Sequence, residues 1–258
     1  MTTNRTPRGG RVAAAVAGPA ESRTGRRARN KRDKLIRIKN AARKLFVSKG
    51  FDDATLREIA ASAGVGLGTV FLYAADKRDL LFLIANDGLE EAAAAAAATV
   101  RPNAPLLDNL LAVFRRHYSF FARQPVLSRL VLREMTFYET GAQARAFQAT
   151  RDALIALIAK AVTLAMEQGG VAVAETPRLI GWTIFCIYQV ELRRWLSDGD
   201  LDLRKGMNRL RRTLNVCVTG LGPAAKPKPA RSATVRAPAL SRPVRQEPRP
   251  RAAAHARR

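Results

Sequence analysis

Hydroxyls, a phenol and an ammonium group fall at helical spacing between Thr55 and Leu81, and this is where the sequence concentrates its chemistry. Thr55-Leu-Arg-Glu58 has the S/T-x-x-E form of a capping box, in which the threonine hydroxyl takes an orphan helix N–H and the glutamate reaches back. Leu56, Ile59, Ala60 and Ala63 follow at one-face helical spacing. Gly64 stands where that helix must stop, because a glycine accepts the left-handed conformation, and Val65 is the apolar residue just beyond. A second short helix is predicted from about Leu67 to Tyr73, with Val70 and Tyr73 facing inward. Thr69, Tyr73 and Lys77 then suit hydrogen bonds and charge pairing with a phosphate backbone. Lys77 also begins the next helix, where free N–H groups favour phosphate. Leu67 and Phe71, four apart, share a face whose apolar side chains would read thymine methyl groups, while Gly66 offers only close backbone approach. This is helix-turn-helix spacing, with the second helix free to enter a DNA major groove. An ordinary helical hairpin in an all-α core has the same spacing, and in it Phe71 and Tyr73 pack inward and Lys77 ends a solvated helix.

The elements that must position this unit lie on both sides of it. Leu35, Ile38, Ala41, Ala42, Leu45 and Phe46 form a helical stripe, capped by Asn30 or Asp33 and closed by Lys49-Gly50. Phe51 is expected to pack back under the turn. Asp76 reads as the N-cap of a fourth helix from Lys77 through Leu89 into the alanines at 92–98, a rod stopped by Pro102 and Pro105. From Leu106 every segment reads as helix: Leu106 to Gln124, Val126 to about Phe137, Gln143 to Gln168, Leu179 to Leu196 after the Thr176-Pro177 start, and a last one from Asp200 or Asp202 to Leu221. No strand pattern and no internal repeat is present. The fold class is therefore all-α, with a three-helix DNA-binding unit at 31–81 and a helical domain at 82–221.

Arg37-Ile38, Ala41-Ala42, Leu45-Phe46, Gly50-Phe51, Thr55, Ile59-Ala60, Ala63-Gly64-Val65, Gly68-Thr69, Tyr73, Lys77 and Leu80-Leu81 together resemble the DNA-binding domain of TetR-family transcriptional regulators, from Lys31 to Leu81. The departures are Gly66 for the usual Ser or Thr, Leu67 for a polar residue, Phe71 for Tyr and Ala74 for Phe. The resemblance implies DNA contact by Thr55, Gly66, Leu67, Gly68, Thr69, Phe71, Tyr73 and Lys77. It implies a homodimer on a palindromic site, paired through Leu179–Leu196 and Leu203–Leu221, where the apolar surplus lies. It also implies a pocket for a small hydrophobic effector in the 82–221 domain, whose candidate walls are Phe114, His117, Tyr118, Phe121, Phe137, Tyr138, Trp182, Phe185, Tyr188 and Gln189; most of these also read as plain core. Effector binding would shift the fourth helix and release DNA, the behaviour of a repressor.

Charge supports a polyanionic partner. The formal net charge is +24; residues 1–32 hold nine Lys/Arg against Glu21 and residues 222–258 ten against Glu247, so 17 of the 24 lie at the two ends. Residues 1–30 read as a disordered basic arm, whose Arg23, Arg26, Arg27 and Arg29, with Lys31 and Arg32 beyond it, are placed to reach a minor groove, and 222–258 reads as a disordered basic tail. A structural nucleoid-type protein that binds DNA broadly through these tails is the rival reading. The Val12–Ala17 run is too short for a secretory signal and no transmembrane run appears, so a cytoplasmic protein without a membrane partner is expected. Cys186 and Cys217 lie in separate apolar segments and His117 and His255 far apart, which gives no metal-ligand spacing; no catalytic constellation or cofactor loop is present, and neither an enzyme nor a cofactor is expected.

Overall fold

The structure, a computed structural model, describes residues 23–221, and all regular elements among them are helices. In chain order these are α1 (Arg23–Ser48), α2 (Leu56–Ala63), α3 (Leu67–Phe71), α4 (Lys77–Ala97), α5 (Leu106–Arg123), α6 (Pro125–Glu134), α7 (Ala144–Glu167), α8 (Pro177–Ser197) and α9 (Leu203–Leu221). The expected division after Leu81 falls inside α4, which runs through it unbroken. None of the described helices is long and apolar enough to cross a membrane. The expected tail at 222–258, and residues 1–22 of the expected arm, lie outside the described residues.

Two expected boundaries are corrected. α1 begins at Arg23, so Asn30 and Asp33 lie within the helix and cap nothing, and residues 23–30 are helical instead of disordered. Nothing in RTGRRARNKRDK breaks a helix: it contains no proline, and Arg, Ala and Lys are strong helix formers. The arginines assigned to a minor-groove arm thus ride on a helix, which is too broad for that groove. α6 stops at Glu134, short of Phe137, which has a left-handed φ of 58° and is 86% exposed.

A continuous apolar core runs from the α1–α3 head into the body. Ile38, Ala42, Phe46, Ile59, Val70, Leu80 and Leu81 are fully or almost fully buried and hold the head together. In the body, Phe114 stacks on Tyr188 with ring centroids 4.5 Å apart and Tyr118 stacks on Trp195 at 4.8 Å, which locks α5 against α8. Starts are built as the sequence requires: the Thr176 hydroxyl accepts from the Leu179 N–H ahead of Pro177, and the Asp202 carboxylate accepts from the Arg204 and Lys205 N–H groups.

Candidate DNA interface and effector cavity

The head is assembled from short-range bonds. Thr55 caps α2: its hydroxyl accepts from the Glu58 N–H at 3.2 Å, and the Glu58 carboxylate accepts from the Thr55 N–H at 3.0 Å, completing the capping box. Lys49 donates to the same carboxylate at 2.6 Å, and this bond, with those from Thr55, holds the Glu58 pKa at about 2. At the far end of α2, Gly64 has φ 62° and ψ 42°, and its N–H and that of Val65 close on Ala61 and Ala60 carbonyls.

The second helix is a single short turn. α3 ends at Phe71, two residues before the expected Tyr73, although the Tyr73 and Ala74 N–H groups still bond to the Val70 carbonyl. Val70 is buried, Leu67 is half-buried against the core, and Tyr73 is half-buried with its hydroxyl donating to the Lys31 carbonyl of α1 at 3.3 Å. Phe71 does not pack inward: it is 50% exposed, and Leu72, which the sequence reading passed over, is 81% exposed. The exposed apolar pair is therefore Phe71 and Leu72, not Leu67 and Phe71. Gly66 and Gly68 have negative or extended backbones, and a methyl group on either would meet nothing within 4 Å. The fold does not demand glycine at these two positions.

Lys77 is already engaged. Its ammonium donates to the Phe51 and Asp52 carbonyls at 2.9 and 2.7 Å and lies over the Phe51 ring, so it staples the α1–α2 turn to α4. Asp76 caps α4 by accepting from the Asp79 N–H at 2.7 Å. The N–H groups of Lys77 and Arg78 have no partner among the described residues, which leaves two donors at a helix start suited to a phosphate.

Directly behind this start is a buried node. Asp79 is 1% exposed and accepts from the Tyr138 hydroxyl at 2.5 Å, the Gln143 N–H at 2.7 Å and the Ala75 N–H at 2.9 Å. Burial alone would raise its pKa; the hydrogen bonds outweigh it and hold the carboxyl below its ordinary value. Tyr138 also stacks on Phe82 at 4.0 Å, and burial with the Asp79 bond drives its pKa up. The neighbouring Arg78 donates to the Glu134 and Thr136 carbonyls at the end of α6. From α6 itself, Arg133 reaches the Asp52 carboxylate of the head at 3.0 and 3.2 Å. The start of α4 is thus bound to the α6–α7 connection from two sides.

Met135, the first residue of that connection, lines an apolar cavity of about 40 Å³ between α4, α5, α6, α7 and α8. Of the ten expected wall residues, His117, Phe121, Phe185, Tyr188 and Gln189 line it. Phe114 and Tyr118 lie in the adjoining aromatic core, and Tyr138 belongs to the Asp79 node. Phe137 and Trp182 are corrections: the left-handed backbone turns Phe137 out to solvent, and Trp182, 46% exposed, stands on the outer side of α8. The walls also include Leu89, Val131, Leu132, Met135, Phe147, Thr150, Arg151 and Leu154, which a search for aromatic clusters overlooks. His117 is 3% exposed, packs edge-on against Tyr188, and has its pKa pushed down to about 4 by burial.

Comparison with known proteins accords with this arrangement. Residues 38–84 match the family of bacterial regulatory proteins described as the tetR family. A fatty acid metabolism regulator protein of Bacillus subtilis is 26% identical over 109 residues, 41% of this chain and 56% of that protein, so the chain spans little more than half the length of that curated relative. Among solved structures, the FadR repressor of Thermus thermophilus in complex with lauroyl-CoA is 26% identical with a TM-score of 0.55, over 76% of this chain and 98% of that one. Bacillus subtilis FadR in complex with stearoyl-CoA has a TM-score of 0.57 at 20% identity, over 69% and 96% of the two chains, a likeness of fold. Motif, helix order and family match agree: residues 38–84 carry the DNA-binding module of the tetR family of bacterial regulatory proteins, in a chain that shares the helical fold of solved members.

Proposed function

We propose that the protein is a dimeric, effector-responsive transcriptional repressor that binds a palindromic operator through α1–α3 and is released by an apolar acyl compound bound in the α4–α8 body. The observation that carries this reading is the Asp79 node, which joins the first turn of α4, just after the reading helix, to Tyr138 and the start of α7, beside the cavity-wall residue Phe147. A cavity of about 40 Å³ holds only two to four waters, so an acyl chain enters by pushing α6 and α7 aside. That displacement pulls on Tyr138, Gln143 and the Arg78 acceptors, and so on the heads. The relatives solved with lauroyl-CoA and stearoyl-CoA support an acyl thioester as the effector class. Pairing is supported by an exposed stripe on α8, Leu179, Trp182, Cys186 and Val190, at 3–4-residue steps.

In the head, Thr69 and the free N–H groups of Lys77 and Arg78 hold phosphates, while Phe71 and Leu72 touch thymine methyls in the major groove. Exposed Arg26, Arg27, Arg29, Lys31 and Arg32 along α1 add salt-dependent backbone affinity. Selection of bound sequences from random DNA, followed by footprinting with and without lauroyl-CoA, tests the reading. A two-fold-symmetric site lost on addition of the thioester is the expected result. Uniform coverage of DNA, unaffected by it, would favour the nucleoid-type protein instead.

A further inference from the structure

His117 presents a problem the fold leaves unsolved. It is 3% exposed on α5, and its Nε2 is buried without a hydrogen-bond partner. Such an atom is costly to keep in an apolar setting, and native interiors rarely tolerate it without a reason. The same imidazole lines the effector cavity, among Phe121, Leu132, Met135, Phe147 and Leu154. The other polar side chains on the walls, Thr150, Arg151 and Gln189, make no hydrogen bond to Nε2. The Gln189 carbonyl oxygen accepts from Arg193 at 3.0 Å, and the Arg151 guanidinium turns to Asp152 at 3.3 Å.

We propose that Nε2 of His117 is the hydrogen-bond partner of a single neutral oxygen, carbonyl or hydroxyl, carried by a linear apolar effector. The inference rests on the effector reading above and names the group that reads the ligand. Neutrality follows from the walls. An imidazole in this apolar cavity is uncharged, and Arg151, the cation among the lining residues, is paired with Asp152, so a carboxylate buried against Nε2 would stand uncompensated. The cavity therefore selects an ester, thioester, ketone or alcohol oxygen over a free acid. Tyr118 supplies an internal comparison: its hydroxyl is also buried without a partner, but it packs on Trp195 and does not line the cavity.

The test measures binding of three probes to the full chain by calorimetry: lauroyl-CoA, its thioether S-dodecyl-CoA, which lacks only the carbonyl oxygen, and S-(2-hydroxydodecyl)-CoA, which carries a hydroxyl one carbon along. The wild type binds one of the oxygen-bearing probes about tenfold more tightly than the thioether, the worth of one neutral hydrogen bond. Which of the two is favoured separates carbonyl from hydroxyl. In His117→Leu that tenfold preference disappears and the ligand-free protein melts a few degrees higher, since the unpartnered nitrogen is gone. Tyr118→Phe keeps the preference, and His117→Gln, which retains a polar group, keeps part of it. Equal binding of all three probes to the wild type, or a preference that survives His117→Leu, overturns the assignment while leaving the acyl effector in place. Binding of none of them overturns both.

Discussion

The head and the cavity are built by opposite means. The turn of the head is made of contacts a few residues apart: a capping box from Thr55 to Glu58, a left-handed glycine at 64, and one turn of helix closed on Gly66 and Val70 carbonyls. It turns apolar Phe71 and Leu72 outward without burying them. The cavity is made of residues drawn from five helices, and it keeps a polar atom, His117 Nε2, buried and unmatched. The proposed DNA-facing surface has its local turn closed, whereas the proposed effector cavity keeps one polar atom unmatched. The Asp79 node stands between the two and is the place to break the contrast.

Removing that node has the largest expected effect. Asp79→Ala strands the Tyr138 hydroxyl and two backbone N–H groups in the interior, at a cost of about 3 kcal/mol in urea unfolding. Tyr138→Phe removes one of the three bonds and costs about 1 kcal/mol. The sharper readout is functional. In Tyr138→Phe the operator is still bound, but the concentration of lauroyl-CoA needed to release it rises, because one tie between the α6–α7 connection and α4 is gone. Unchanged release would show that the signal does not need the Tyr138–Asp79 bond and passes through Gln143, Arg78 or Arg133.

Second in size is a pH effect on the cavity that the head does not share. Burial holds the His117 pKa at about 4, against an ordinary value of 6.5. Above pH 6.5 the imidazole is neutral in folded and unfolded chains, and its contribution is fully present. As the pH falls from 6.5 towards 4, the unfolded chain takes up the proton and the folded one does not. Stability then drops, by about 2 kcal/mol between pH 6.5 and pH 5, and the loss levels off below pH 4. Urea midpoints across this range check it, and His117→Leu should flatten that part of the profile. The Glu58 carboxyl, held at about 2, stays ionised throughout the same window, so the α2 cap is unaffected.

The same contrast explains what was legible in the sequence. Thr55, Glu58 and Gly64 could be read because capping and left-handed stops are fixed by spacing alone, and all three do in the structure what that spacing requires. Helices α4 to α9 were legible from apolar periodicity, which depends on burial and not on partners. The start of α1 was misread because Asn30 and Asp33 resemble caps, and a cap is realised only where the chain before it leaves the helix. Eight of the thirteen wall residues are not legible in the sequence, because aliphatic members such as Val131, Leu132 and Leu154 look like any core residue; only their convergence in space makes them a wall. Asp79 was missed for a related reason: an acid three residues into a helix is ordinary, and its partners lie 59 and 64 residues away.

The smallest effect sharpens the head itself, through two glycines that look alike in sequence. Gly64 needs its φ of 62°, and an added methyl group would stand 3.3 Å from Arg37 Nη1, so Gly64→Ala costs about 1 kcal/mol and loosens the turn that aims α3. Gly68 needs neither the conformation nor the space, and as a helical residue it is replaced by alanine with a gain of about 0.5 kcal/mol. Yet a methyl group there stands on the short helix that the DNA backbone and base edges would approach. Thermal melting and operator binding by gel shift should therefore disagree for Gly68→Ala, with a more stable protein that binds less tightly, and agree for Gly64→Ala, with both reduced. If Gly68→Ala is more stable and binds its operator as well as the wild type, the glycine serves neither fold nor DNA approach, and the reading face lies further along, at Phe71 and Leu72.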